Sequence, residues 1–431
     1  MNRIYITLLM LLGTIALQAQ SQYIHTNGMY ILGPCGDTLL LRGLNYAPYN
    51  WGYDINSLQL DQIVQSGANI VRMDWYWNNP DPNAIVYQNY TALNNAISQC
   101  VQNKMIAVLE IHDYTCSTDT VGLFNLHTWW TQSNVFTILQ QYKESVIVNY
   151  ANEALYYQFA ANPVTALATY KNTYQNIITA LRSVSGFNFP IMIDAPDCGT
   201  NSDAFITSNV ANDLIQADPL HNIIFSAHAY WYAFANNDSA QMAGKINAVL
   251  AQNIPFVLGE VSNLQDDVNP CAYVLNYKPL LNYCQLKKVN WLAWSWDNDV
   301  CPTRQISSNG NFNSLTTYGN DIIHNPGYGL LTVSAPKSQF LLNGCNAGIE
   351  NRDPDNGLSL YPNPASTNVT IETKVYLKAE TYRIIDPSGR ILLSGILSGK
   401  KTTIDLSGIP EGIYLFQLGD LNKQTLKVIK H

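Results

Sequence analysis

Two glutamates stand out by type and position. Glu153 closes the stretch VIVNYANE and Glu260 closes IPFVLGE, each at the far end of a short run rich in β-branched residues. Carboxyls on neighbouring strand ends in a partly dry cleft cannot both ionise freely, so one stays protonated near neutral pH while the other carries charge. Such a pair divides proton donation from nucleophilic attack, the chemistry that opens a glycosidic bond.

The elements that must position this pair follow from the same stretch of chain. Between residues 38 and 296 short apolar runs alternate with longer stretches of helical period. Eight runs are counted: TLLLRGLNY (38–46), ANIVRMDW (68–75), MIAVLEIHD (105–113), SVIVNYANE (145–153), PIMIDAP (190–196), NIIFSAHAY (222–230), PFVLGEV (255–261) and VNWLAWSW (289–296). Near-continuous Val, Ile and Leu implies strands covered on both faces, as in a parallel sheet wrapped by helices. Ser57 before LQLDQIVQSG and Pro163 before VTALATYKNTYQNIITALRSV are read as helix starts, with Gly67 as a stop. Eight such units predict an α/β fold, a (β/α)8 TIM barrel. The leading YIHTNGMYILGPCGDTLLL, with its NG and GD turns, is expected to form a hairpin that plugs the barrel's bottom. An open doubly wound sheet is the alternative, but no glycine-rich phosphate loop follows any run.

In a barrel of this kind the active site lies at the C-terminal ends of the strands. The runs end in Arg72 and Asp74, His112 and Asp113, Asn152 and Glu153, His228 and Tyr230, Glu260, and Trp294 and Trp296. Each alone has a structural explanation: an Arg72–Asp74 ion pair, a satisfied core histidine at His112, barrel filling by Trp294. Six run ends converging on one mouth point to a site.

Composition narrows the ligand. Charged residues are 13% of the 431, against the roughly 25% of average soluble proteins, while 27 Tyr and 9 Trp supply neutral aromatic surface. That surface suits uncharged, hydroxyl-rich molecules, and a net charge of -8 offers no basic patch to nucleic acid. Arg3 followed by IYITLLMLLGTIAL and small residues around Ala19 and Gln20 reads as a signal peptide over 1–19, too short to span a bilayer. Eight cysteines follow it into an oxidising compartment, where some are expected to pair; none forms a CxxC, and neither metal nor organic cofactor is expected.

After residue 343 the composition changes. A Gly, Asn, Asp and Pro-rich linker (344–356) leads to strand-sized runs, VTIETKV, TYRIIDP, RILLSG, TTIDLSG, GIYLFQLG and TLKVIKH, read as a small all-β sandwich over 357–431. It carries no catalytic constellation.

The stretch from 23 to 300 resembles glycoside hydrolase family 5, on RGLNY (42–46), GANIVRM (67–73), EIHD (110–113), Asn152–Glu153, HAYW (228–231), Gly259–Glu260 and WLAWSW (291–296). The resemblance implies a retaining (β/α)8 glycosidase with Glu153 as acid/base and Glu260 as nucleophile. Arg72 and Tyr230 would hold the nucleophile ionised and oriented. His112, Asn152 and His228 would line the subsite at the cleaved bond, with Trp294 as the platform beneath the sugar. The chain departs from the family's usual Asn-Glu-Pro at Ala154. VLEIHDYT, PIMIDAPDCG and ADPLHNIIFSAHAYW with PFVLGEVSN look most like bacterial β-mannanases of subfamily 8, which makes β-1,4-mannan the expected substrate. An endo-β-1,4-glucanase and a non-catalytic glycan-binding barrel are the alternatives. Trp75, Trp77, Trp129, Trp130 and Trp231 are candidates for stacking on further sugars. LSLYPNPASTNVTIE, YRIIDPSGRIL and LSGIPEGIYLFQL resemble the sorting domain of the type IX secretion system, rather than a carbohydrate-binding module. A monomer exported through the periplasm, then secreted or held at the cell surface, is expected.

Overall fold

The computed structural model describes residues 22–78, 81–230, 236–265, 271, 273–345, 358–386, 389–419 and 424–431. The segment expected to be a signal peptide, most of the expected linker and Trp231 lie outside them. The chain divides into two compact units, 1–345 and 346–431.

In the first unit a hairpin, β1 (His25–Asn27) with β2 (Tyr30–Leu32), precedes eight parallel strands. These are β3 (Arg42–Tyr46), β4 (Ile70–Trp75), β5 (Ile106–Ile111), β6 (Val146–Asn149), β7 (Ile191–Asp194), β8 (Ile223–Ala229), β9 (Phe256–Val261) and β12 (Asn290–Ala293). A short ribbon, β10 (Leu264–Gln265) with β11 (Tyr273–Val274), lies between the last two. The strands close in chain order, β12 pairing with β3 as Trp291 opposite Arg42. Each of the eight predicted runs contains one barrel strand, and every residue of those strands is buried.

Because side chains alternate across a strand, each run has an inward and an outward set. Val71, Met73 and Trp75 of β4 join the outer core against the helices, with Ala107, Leu109 and Ile111 of β5. The inward set begins apolar. Ile70, Ile106, Val108, Ile147, Met192, Ile224, Val257 and Leu292 pack with Ile24, Ile31, Leu39 and Leu41, so the leading hairpin segment does close the barrel's bottom. Further along six of the eight strands the inward positions turn polar. Asn45, Arg72, Asp74, Glu110, Asn149, Asp194 and His228 are all buried there.

The helix at Pro163 runs Pro163–Arg182, capped by Asn162, whose side chain accepts the Thr165 N–H. The helix expected after Ser57 is shorter than its periodicity suggested, Leu60–Ile63 plus a 3-10 turn to Ser66, and ends at Gly67 with φ +83°. Ser57 does not cap it; its carbonyl instead accepts the Tyr46 hydroxyl. Six of the eight cysteines pair, as Cys35–Cys345, Cys116–Cys198 and Cys271–Cys301, while Cys100 and Cys284 are free and buried.

The second unit is an antiparallel sheet of β13 (Ser359–Tyr361), β14 (Asn368–Ile385), β15 (Ile391–Asp405), β16 (Gly412–Leu418) and β17 (Gln424–Lys430). Register shifts in β14 between Glu372 and Leu377 and between Lys378 and Glu380 bend the long β14–β15 pair. Leu360, Val369 and Ile371 from one half therefore share a core with Ile384, Phe416 and Val428 from the other.

Candidate active site

Glu260 stands in β9, whose register against β8 shifts between Ala227 and His228. Glu153 lies four residues beyond the end of β6, in the left-handed region at φ +47°. The two meet over the polar layer. A carboxylate oxygen of Glu153, one of Glu260 and a ring nitrogen of His228 all lie within 4.8 Å of one another. His228 Nδ1 is 2.6 Å from Glu153 Oε1 and 3.4 Å from Glu260 Oε1, so one imidazole edge faces both acids.

Arg72 organises the floor beneath them. Its Nη1 donates to Glu260 Oε1 at 2.8 Å and to Asn45 at 3.0 Å, Nε to Asn149 at 2.7 Å, and Nη2 to Asn152 at 2.7 Å and Asp194 at 3.3 Å. Asp74 is 3.4 Å away and Glu110 3.9 Å. Burial works against the guanidinium's charge, but Glu110, Asp194, Glu260 and Asp74 outweigh it and hold Arg72 protonated. One cation does not offset four carboxylates. Burial drives both Asp74 and Glu110 well above the usual carboxylate range, and the charge of Glu110 raises Asp74 further.

Glu260 is itself pushed upward by burial; His228 and Arg72 oppose the shift, and Glu153 and Asp74 add to it. Burial lowers His228 and so favours its neutral form, despite the pull of Glu260 and Asp194. The Tyr230 hydroxyl, buried beside Glu260, is raised well above its ordinary value by burial and by that carboxylate, so it remains a proton donor.

Aromatic rings form one wall. Trp294 and His112 stack with centroids 6.0 Å apart at 20°, and Trp51 lies 6.2 Å from Trp294 and 5.5 Å from His112. Asp299 accepts Trp294 Nε1 at 2.5 Å and grips Arg304 with both oxygens, and the Arg304 guanidinium lies 5.8 Å over the Tyr230 ring and 5.9 Å over Trp294. Asn152 reaches from Arg72 to Thr115 Oγ1.

All eight residues assigned by resemblance thus gather at one mouth. Other expectations separate from it. Asp113 holds a loop, accepting the Trp77 and Asn78 N–H groups at 2.7 and 2.9 Å. Trp75, Trp129, Trp130 and Trp296 pack into the outer core, whereas Trp294 clusters with Tyr230 and Trp51, so none of the four is a sugar platform; Trp77 is half-buried. Asn45, Glu110, Asn149 and Asp194 went unassigned, although a lone polar residue inside an apolar run marked each. Trp51 carried no periodic signal. Asp74, Glu110 and His112 also bring ligand atoms within 4.8 Å, but Arg72 already supplies the positive charge at that acidic pair.

Residues 359–431 match the secretion system C-terminal sorting domain. A mannan endo-1,4-β-mannosidase of Salipaludibacillus agaradhaerens is 27% identical over 324 residues, 74% of this chain and 95% of that protein. Another, from Streptomyces lividans, is 27% identical over 80% of this chain and 83% of its own length. The mannohexaose complex of Thermomonospora fusca β-mannanase superposes with a TM-score of 0.60 at 22% identity, over 74% of this chain and 99% of that one, a likeness of fold. Residues 34–300 match the cellulase family, glycosyl hydrolase family 5, and with that span covering most of the barrel the chain belongs to glycoside hydrolase family 5.

Proposed function

We propose that this glycoside hydrolase is a secreted retaining endo-β-1,4-mannanase in which Glu260 is the nucleophile and Glu153 the acid/base. The observation that carries the reading is the pair itself: two buried carboxyls with oxygens within 4.8 Å, one gripped by a guanidinium and both faced by an imidazole. Retaining glycosidases hold their carboxyls about 5 to 5.5 Å apart, whereas inverting ones leave room for a water at about 6.5 to 9.5 Å. Glu260 attacks the anomeric carbon while Glu153 protonates the departing glycosidic oxygen. Glu153 then takes a proton from the water that releases the glycosyl-enzyme.

Arg72 donates to Glu260 and orients it, and His228 and Arg72 favour its charged form against the burial that opposes it, with the Tyr230 hydroxyl placed to donate to the same carboxyl. Asn152, tied to Arg72, and His228 and His112 line the sugar at the cleaved bond, and Trp294 is the face on which it rests. Relatives named for mannan hydrolysis over most of the barrel support the substrate. Subfamily-8 strings in the sequence support it too. The sorting domain supports export through the type IX machinery, the barrel acting outside the cell.

Product analysis after incubation with linear β-mannan and, separately, carboxymethyl cellulose tests this reading. Manno-oligosaccharides with negligible glucan cleavage are expected. Glucan cleavage alone would make the enzyme an endoglucanase with the same catalytic pair.

A further inference from the structure

The loop that carries Glu153 follows β6 and runs between the loops that follow β5 and β7. Cys116 and Cys198 join those two flanking loops across it. The contacts on either side are backbone hydrogen bonds. The Cys116 N–H donates to the Glu153 carbonyl at 3.1 Å and the Leu155 N–H to Ser117 at 2.8 Å, while the Asp197 N–H donates to the Leu155 carbonyl at 3.0 Å. Gly199, next to the bridge, accepts the His228 N–H at 2.8 Å. A Cβ at Gly199 would lie 2.8 Å from His228 Nδ1 and 2.9 Å from the Glu153 carboxyl oxygen. The bridge therefore ends one residue from the wall against which the carboxyl of Glu153 rests.

Five non-glycine residues here occupy the left-handed region: Cys116 (φ +53°), Glu153 (+47°), Leu155 (+70°), Asp197 (+58°) and Cys198 (+54°). Each costs on the order of 1 to 3 kcal/mol and persists only where its surroundings over-determine it. Both half-cystines are among the five. A cross-link needed only for global stability has no reason to sit on the strained segment that aims one carboxyl.

We propose that the Cys116–Cys198 bridge and the adjoining Gly199 form a clamp that fixes the Glu153 carboxyl in its protonating position. The proposal rests on the reading of Glu153 as acid/base and adds positioning residues that act through it. Loosening the clamp impairs protonation of the leaving group and leaves attack by Glu260 intact. The loss then depends on how much protonation the leaving group needs.

The test is the double variant Cys116→Ser/Cys198→Ser in the full chain, assayed on β-mannan and on an aryl β-mannobioside whose dinitrophenolate departs without protonation. Expected is a fall in kcat/KM of about tenfold or more on mannan, with a change under about twofold on the aryl substrate. Cys35→Ser/Cys345→Ser, which opens a bridge outside this loop cluster, is the control and should leave the ratio between substrates unchanged. Equal losses on both substrates, or no loss on mannan, overturn the proposal. If the double variant does not fold, Gly199→Ala with every bridge intact presses a methyl on the same carboxyl and must give the same split; equal losses there overturn it as well. Glu153→Ala run alongside separates the two readings. A split in that variant but none in the clamp variants overturns only the clamp, and no split in Glu153→Ala overturns the acid/base role beneath it.

Discussion

At the level of single residues, one guanidinium serves the proposed nucleophile, which burial would otherwise neutralise. Glu260 has its pKa raised by burial more than His228 and Arg72 lower it. It must be ionised to attack, so activity is lost as pH falls through that raised value. The acid limb of kcat/KM on mannan should therefore lie above the roughly 4.3 of an unperturbed glutamate. A limb at or below that value would show that the carboxylate's partners outweigh its burial. The two glutamates proposed as the catalytic pair stood out in the sequence because both end apolar runs. Asn45, Glu110, Asn149 and Asp194 were legible in position but not in role: strands covered on both faces hide the inward alternation that makes these residues neighbours of Arg72. Trp75, Trp129 and Trp130 were misjudged for a related reason, since residue type reveals an aromatic ring but not whether it faces the helices or the cleft.

At the level of elements, the strands were read almost without error, because eight Val, Ile and Leu runs with helical stretches between them leave few alternatives. The loops after the strands were not, because their order comes from side chain to backbone bonds that have no period. Asp197, 1% exposed, is the main example. Its Oδ1 accepts the N–H groups of Tyr157 at 2.8 Å and Phe159 at 3.1 Å, and its Oδ2 those of Gln158 at 2.9 Å and the Asn201 amide at 2.7 Å. One buried carboxylate thus orders the loop that continues from Glu153. Asp197→Ala should destabilise the barrel by about 2 to 4 kcal/mol, since it strands several donors at once. Denaturant unfolding measures this, and a loss below about 1 kcal/mol would mean the loop is held by something else. The Leu60–Ile63 helix illustrates the opposite failure, where good periodicity was cut short as the preceding chain was drawn into bonds with Tyr46.

For the molecule as a whole, two hydrophobic cores are separate: one around the barrel and one inside the folded sheet of the second unit. No described helix is long and apolar enough to cross a membrane. Units with independent cores unfold independently. A protease site inserted between residues 346 and 357 should leave kcat/KM on mannan within about twofold after cutting, with two separable unfolding transitions. A large loss on cutting would mean that the sorting domain contributes to catalysis. Double displacement at this site requires a covalent bond to Glu260. Incubating the full chain with a 2-fluoro mannobiosyl fluoride and mapping the labelled peptide by mass spectrometry observes that bond directly. A single adduct on the peptide containing Glu260 is the predicted result; an adduct on another residue, or none under conditions where mannan is still cleaved, would contradict it.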